Sequence, residues 1–112
     1  MYKIRAIYIA HNGCHFDKNY YTTSHLPLAE KQITGRVKIE RIDVEWDIKS
    51  MINNEMIAPC AVCIYLATAQ DLQDFLKWVQ SEDALPVIED AKNYTDCEIE
   101  WSVSRMDELP GY

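Results

Sequence analysis

The segment RVKIERIDVEWDIKSMINNEMIAPCAVCIYLAT (residues 36–68) decides the fold. Its first part, RVKIERIDVEWDI (36–48), places Ile42, Val44, Trp46 and Ile48 at every second position, the period of a strand with one buried face. Its last part, CAVCIYLAT (60–68), is apolar almost throughout, as in an inner strand. Between them KSMINNEMIAP (49–59) reads as a loop. Two strands thus follow one another with no helix between them.

Helices stand on either side of this pair. Upstream, YKIRAIYIA (2–10) is β-rich with apolar residues on both faces. HNGCH (11–15) follows as a loop with a turn at Asn12–Gly13, and residues 16–25 and 27–33 read as two short helices. Downstream, Thr68 and Asp71 resemble a capping box, and Leu72, Phe75, Leu76 and Val79 form one helical stripe. SEDALPVIEDAKN (81–93) carries a shorter helix, with Ser81 as its cap and Pro86 in its first turn. CEIEWSVSRM (97–106) alternates, with Cys97, Ile99, Trp101 and Val103 on one face and Glu98, Glu100, Ser102 and Ser104 on the other. The tail, DELPGY, reads as irregular. The order β-α-β-β-α-β is the ferredoxin-like α+β pattern: a four-stranded antiparallel sheet with both helices on one face. The first and third strands are apolar on both faces, and one chain's helices cover only one. The sequence therefore predicts a homodimer formed face to face through the sheet.

The chain has 112 residues, the size of a single domain, 1–112. Its net charge of −7 argues against nucleic acid, whose phosphates require a basic patch, and against an anionic membrane surface. No apolar run reaches the roughly 20 residues of a membrane span. The first residues lack the long apolar region of a signal peptide, so the expected compartment is the cytoplasm. There Cys14, Cys60, Cys63 and Cys97 are expected as reduced thiols. Cys60 and Cys63 form a C-x-x-C, but three residues apart on a strand they point to opposite faces, which suits two small buried thiols better than a metal or redox pair. His11 and His15 flank Cys14 in an H-x-x-C-H run that could ligate a metal, but the ligand set is incomplete, and no metal is expected.

FDKNYYTTSHLPLA (16–29) holds the candidate chemistry. Pro27 disfavours helical geometry at Leu26, so the first helix is expected to end near His25 and Pro27 to begin the second. A histidine at a helix C-terminus is poised to exchange protons near neutral pH. Tyr21, four residues earlier, shares its face and can hydrogen-bond the imidazole or a ligand. Tyr20 is rotated by about 100°, toward the core with Phe16. The plainer reading is equally physical: a histidine near a helix end often bonds a free carbonyl, and adjacent tyrosines often pack.

These residues resemble a known family. Phe16, Asp17, Tyr20, Tyr21, His25, Pro27 and Leu28 match the F-D-x-x-Y-Y-x-x-x-H-x-P-L pattern of EthD proteins. Asp90, Asn93, Tyr94, Thr95 and Asp96 match a second, D-I-P-N-Y-T-D, with Ala91 and Lys92 replacing Ile and Pro. The resemblance implies a dimeric α+β barrel whose ligand sits between helices and sheet. His25 and Tyr21 would be catalytic there, with Tyr20, Asp90, Asn93 and Tyr94 binding substrate. The resemblance leaves the reaction open; the reading taken from the residues is a cofactor-independent enzyme in which His25 serves as general acid/base on a small aromatic or cyclic molecule, by isomerisation, dehydration or decarboxylation. The alternative is a non-catalytic ligand-binding or accessory protein of a degradation pathway. The wider superfamily also contains monooxygenases and haem-binding enzymes. Loop 49–58 lacks the Gly/Pro-rich composition expected there and could act as a lid.

Overall fold

The computed structural model describes residues 1–112. β1 (Tyr2–Ile9), β2 (Arg41–Lys49), β3 (Met56–Leu66) and β4 (Glu98–Arg105) form one antiparallel sheet in the order β2-β3-β1-β4. The ferredoxin-like arrangement read from the sequence is the one observed. α1 (Lys18–Tyr20), a π-turn (Tyr21–His25) and α2 (Leu26–Ile33) connect β1 to β2. α3 (Ala69–Val79) and α4 (Leu85–Glu89) connect β3 to β4, with 3-10 turns at Glu82–Ala84 and Asp90–Asn93.

Register assigns the faces. Ile4 opposes Ile64 and Val103, Ala6 opposes Val62 and Trp101, and Tyr8 opposes Cys60 and Ile99. These residues share the helix-covered face, because side chains alternate along each strand. Two buried clusters fill it. One is formed by Ile4, Ile33, Leu66, Phe75, Trp78 and Ala84, and the other by Tyr8, Tyr21, Cys60, Tyr94 and Cys97. Thr68 caps α3 as expected, its hydroxyl accepting the Asp71 N–H at 3.1 Å. The helices leave β4 largely open. Trp101 and Val103 are each 53% exposed, and a groove of about 350 Å³ runs between α3 and β4, lined by Ile4, Phe75, Leu76, Val79, Trp101 and Val103.

The opposite face carries Ile7, Ala61, Cys63 and Tyr65 under longer charged neighbours. Arg5 pairs with Glu45 at 3.3 Å, the Cys63 thiol donates to Glu45 at 3.2 Å, and the Arg41 guanidinium lies 4.4 Å from the Tyr65 ring centre. Cys60 and Cys63 are therefore free, buried and on opposite faces, as the strand reading requires.

Three expectations are corrected. The helix does not break before Pro27. Tyr20, Tyr21, His25 and Leu26 all have right-handed helical backbone angles, and the chain turns continuously from Lys18 to Ile33. The π-turn widens one loop of the helix, with the Leu26 N–H bonding the Tyr21 carbonyl five residues back, and so accommodates the proline's missing donor. Second, β3 begins at Met56, so only the middle of 49–59 is a turn. Pro59 lies inside this inner strand, where a donor is lost from the ladder, and β2 yields opposite it. Asp47 takes φ +53°, and the pairing shifts register between Ile48 and Lys49. Third, Cys14 and Cys97 are joined as a disulfide, 83 residues apart in sequence, instead of standing as separate thiols.

Candidate functional site

The aromatic cluster surrounds a line of hydrogen bonds. Asp17 caps α1, its carboxylate accepting the Tyr20 N–H at 3.0 Å, while its own N–H bonds the Tyr94 carbonyl at 2.7 Å. This ties the start of the helix to the segment before β4 and sets His25 opposite Asp90. His25 Nδ1 lies 3.0 Å from Asp90 Oδ2, and Nε2 lies 3.4 Å from the Tyr94 hydroxyl. The Tyr94 hydroxyl is 2.8 Å from that of Tyr8. The other oxygen of Asp90 accepts from the Tyr20 hydroxyl at 2.7 Å and from the Asn93 amide at 2.8 Å.

The charges follow from burial and bonding. Burial pushes the His25 pKa down, against the opposing pull of Asp90. Burial also acts to raise Asp90, but the bonds from Asn93, Tyr20 and His25 outweigh it and hold the carboxyl below its usual range. The consistent state is a carboxylate beside a neutral imidazole. Nδ1–H then donates to Asp90, Nε2 accepts from the Tyr94 hydroxyl, and Tyr94 accepts from Tyr8. Burial raises the pKa of both tyrosines, so each remains a phenol. Such a chain can hold a proton at Tyr94 and take it up at His25, the geometry of a general base with its tautomer fixed.

The sequence-predicted residues converge, but in altered roles. Tyr21 does not hydrogen-bond the imidazole. Its ring stacks on that of His25 at 5.3 Å and 19°, and it is 1% exposed in the core. Tyr20 is the partly buried one and bonds the carboxylate, while Tyr21 keeps the face it shares with His25 but lies in the core. Asp90 and Asn93 support the imidazole and the carboxylate. Tyr94 is the imidazole's second partner. Tyr8 was missed. Its only signal was a polar-tipped aromatic at an inward position of β1. The rim carries Phe16 and Trp46 packed on Tyr21, with Lys18 bonded to Asp47 at 3.0 Å and lying over Trp46.

No protein-family model matches the sequence, and no curated protein matches it. Solved structures do. An EthD-like protein from Ralstonia eutropha aligns with a TM-score of 0.73 at 18% identity, covering 92% of this chain and 88% of that one. The fold is that of EthD-like proteins. An ethyl tert-butyl ether degradation (EthD) family protein from Bacillus halodurans aligns with a TM-score of 0.66, also at 18% identity, covering 96% of this chain and 99% of that one. The EthD pattern read from residues 16–28 and 90–96 thus falls on the corresponding fold, and its His, Tyr and Asp positions meet in one cluster.

Proposed function

We propose that this protein is an EthD-family, small-molecule-binding enzyme that works without a cofactor, with His25 as general base on a small aromatic or cyclic carbonyl compound. One observation carries the reading. Asp90 fixes the proton on Nδ1 of a neutral, buried imidazole, and the other nitrogen has the longest hydrogen bond of the line, 3.4 Å to Tyr94. That bond is the one a substrate displaces most cheaply. A proton next to a carbonyl is then taken by Nε2, and Tyr94 is free to donate to the developing oxyanion. Isomerisation and dehydration pass through such an enolate; decarboxylation forms it by loss of CO2, and the proton is then given to carbon.

The functional unit we propose is a homodimer through the sheet face that no helix covers, where half-buried Ile7 gains cover. Light scattering should give twice the chain mass, and a charge placed by Ile7→Glu should give monomers. The proposed location is the cytoplasm. No helix is long and apolar enough to cross a membrane.

The test is proton exchange in D2O with a panel of aromatic and cyclic ketones. The parent should incorporate deuterium next to the carbonyl, and His25→Gln should lose roughly a hundredfold or more of the rate. Equal rates would overturn the base. The second reading, a non-catalytic binding or accessory protein, is favoured by one fact: no buried side-chain polar atom lacks a partner, so the line is complete without a ligand. Ligand binding by the parent with no exchange at all would select it.

A further inference from the structure

The sequence run His11-x-x-Cys14 and the pair Asp96–Cys97 are brought together at one end of the sheet, where Cys97 packs in the cluster that holds Tyr8 and Tyr94. The ligand atoms of His11, Cys14 and Asp96 all lie within 4.8 Å of one another, and the Cys97 sulfur is bonded to that of Cys14. We propose that the Cys14–Cys97 disulfide is one of two states of this cluster, and that the reduced state binds a thiophilic divalent cation, zinc by class, through Cys14, Cys97, His11 and Asp96.

Three features support it. The donor set is two sulfurs, one imidazole and one carboxylate, the number and kind that zinc takes in a closed tetrahedral site. Zinc bonds of about 2.0–2.3 Å set tetrahedral donors roughly 3.3–3.8 Å apart, so atoms already within 4.8 Å need side-chain adjustment, in which His11 gives up one of its bonds to the Asn12 and Asp96 carbonyls, 3.1 and 3.2 Å away. The two segments also stay together without the covalent bond. His15 N–H bonds the Asp96 carboxylate at 2.7 Å, the Thr95 hydroxyl donates to the His15 carbonyl at 2.8 Å, and Phe16 and Thr95 form a β-bridge. The first of these holds one carboxylate oxygen and leaves the other to face a cation. His11 and Asp96 are exposed and Cys14 is half-buried, so an ion enters from solvent, while Cys97 closes the inner side.

The balance is simple. A dithiol reductant gives two electrons and two protons to the Cys14–Cys97 bond and becomes a disulfide itself, leaving two thiols. Cation binding then releases one proton from each thiol. The bound state holds two thiolates, a neutral imidazole and a carboxylate around the ion. Disulfide and metal exclude each other because both need the same two sulfurs. The proposal does not rest on the role given to His25.

The test is a cobalt(II) titration of the full chain reduced with a phosphine, with four free thiols confirmed first. A single cobalt per chain should give a near-ultraviolet thiolate charge-transfer band and intense visible tetrahedral bands, and zinc should erase both. The oxidised protein should show neither. Cys14→Ser and Cys97→Ser should each lose the charge-transfer signal. Cys60→Ser with Cys63→Ser should keep it, and this variant retains the whole cluster if the other two misfold. His11→Ala and Asp96→Asn should weaken cobalt binding at least tenfold. A reduced chain that is folded by circular dichroism yet shows no cobalt band overturns the proposal. So does a signal that survives Cys14→Ser or is lost with Cys60 and Cys63.

Discussion

The two halves of the covered sheet face are built on different principles. Around Ile4, Leu66, Phe75 and Trp78 the core is apolar, and packing joins α2 and α3 to the sheet, with the Trp78 indole donating to the Gln32 carbonyl at 3.3 Å between the two helices. Around Tyr8, Tyr21 and Tyr94 it is aromatic, and a histidine and a carboxylate are threaded through it by hydrogen bonds. The apolar half gains stability from every methylene it buries. The aromatic half gives part of that up, because each bond in it replaces one to water and returns about 1 kcal/mol or less net. What it secures is orientation: one tautomer, one carboxylate direction and one phenol on the free nitrogen. The scaffold sits in one half and the chemistry in the other.

Truncation should separate the halves most sharply. Phe75→Ala is expected to cost about 3–5 kcal/mol of unfolding free energy in urea titration while leaving the proton-exchange rate per folded molecule near that of the parent. A large loss of rate in the folded variant would mean that the two halves are coupled. Tyr94→Phe is the counterpart. It leaves His25 Nε2 and the Tyr8 hydroxyl without partners, and should cost about 1–3 kcal/mol together with most of the exchange activity.

How much of this contrast was legible beforehand differs by half. The apolar half shows in the helical stripe at Leu72, Phe75, Leu76 and Val79 and in the alternation of β2 and β4, because burial of apolar side chains is periodic. In the aromatic half the EthD-like pattern named nearly all the residues but not their roles. The four-residue spacing puts Tyr21 on the His25 face, where its ring stacks, but carries no sign that Tyr20 reaches the distant Asp90. Pro27 misled because it was read as a helix boundary, whereas the helix widened around it. Pro59 fell at the end of a segment read as a loop, whereas it lies inside β3 and the neighbouring strand yields opposite it. The Cys14–Cys97 bond had no local signal at all, since only the fold brings positions 83 residues apart together.

Acid should sharpen the comparison further. His25 is harder to protonate in the folded chain than in the unfolded one, so as pH falls below about 6.5 the unfolded state binds more protons and stability declines. Asp90, held below its usual range, adds a further loss below about pH 4. Melting temperatures recorded from pH 8 to 3 should fall in those two stages, and His25→Gln should remove the first. An unchanged profile in that variant would show that the imidazole is not held neutral. The smallest effect is expected at the rim. Lys18→Ala breaks an exposed pair with Asp47 and should change stability by about 0.5 kcal/mol or less in the same urea titration.

The π-turn has a consequence for register. It acts as one extra residue spliced into a helix, so the rod before Tyr21 and the rod after His25 run out of phase by about 100°. Each half keeps its own inward stripe only because the splice is there. Winding the same residues as an unbroken α-helix, without the widened turn, would swing the imidazole a quarter-turn or more from Asp90. It would also press the Pro27 ring against the turn before it. The same residues wound with perfect regularity would thus be unable to aim the histidine.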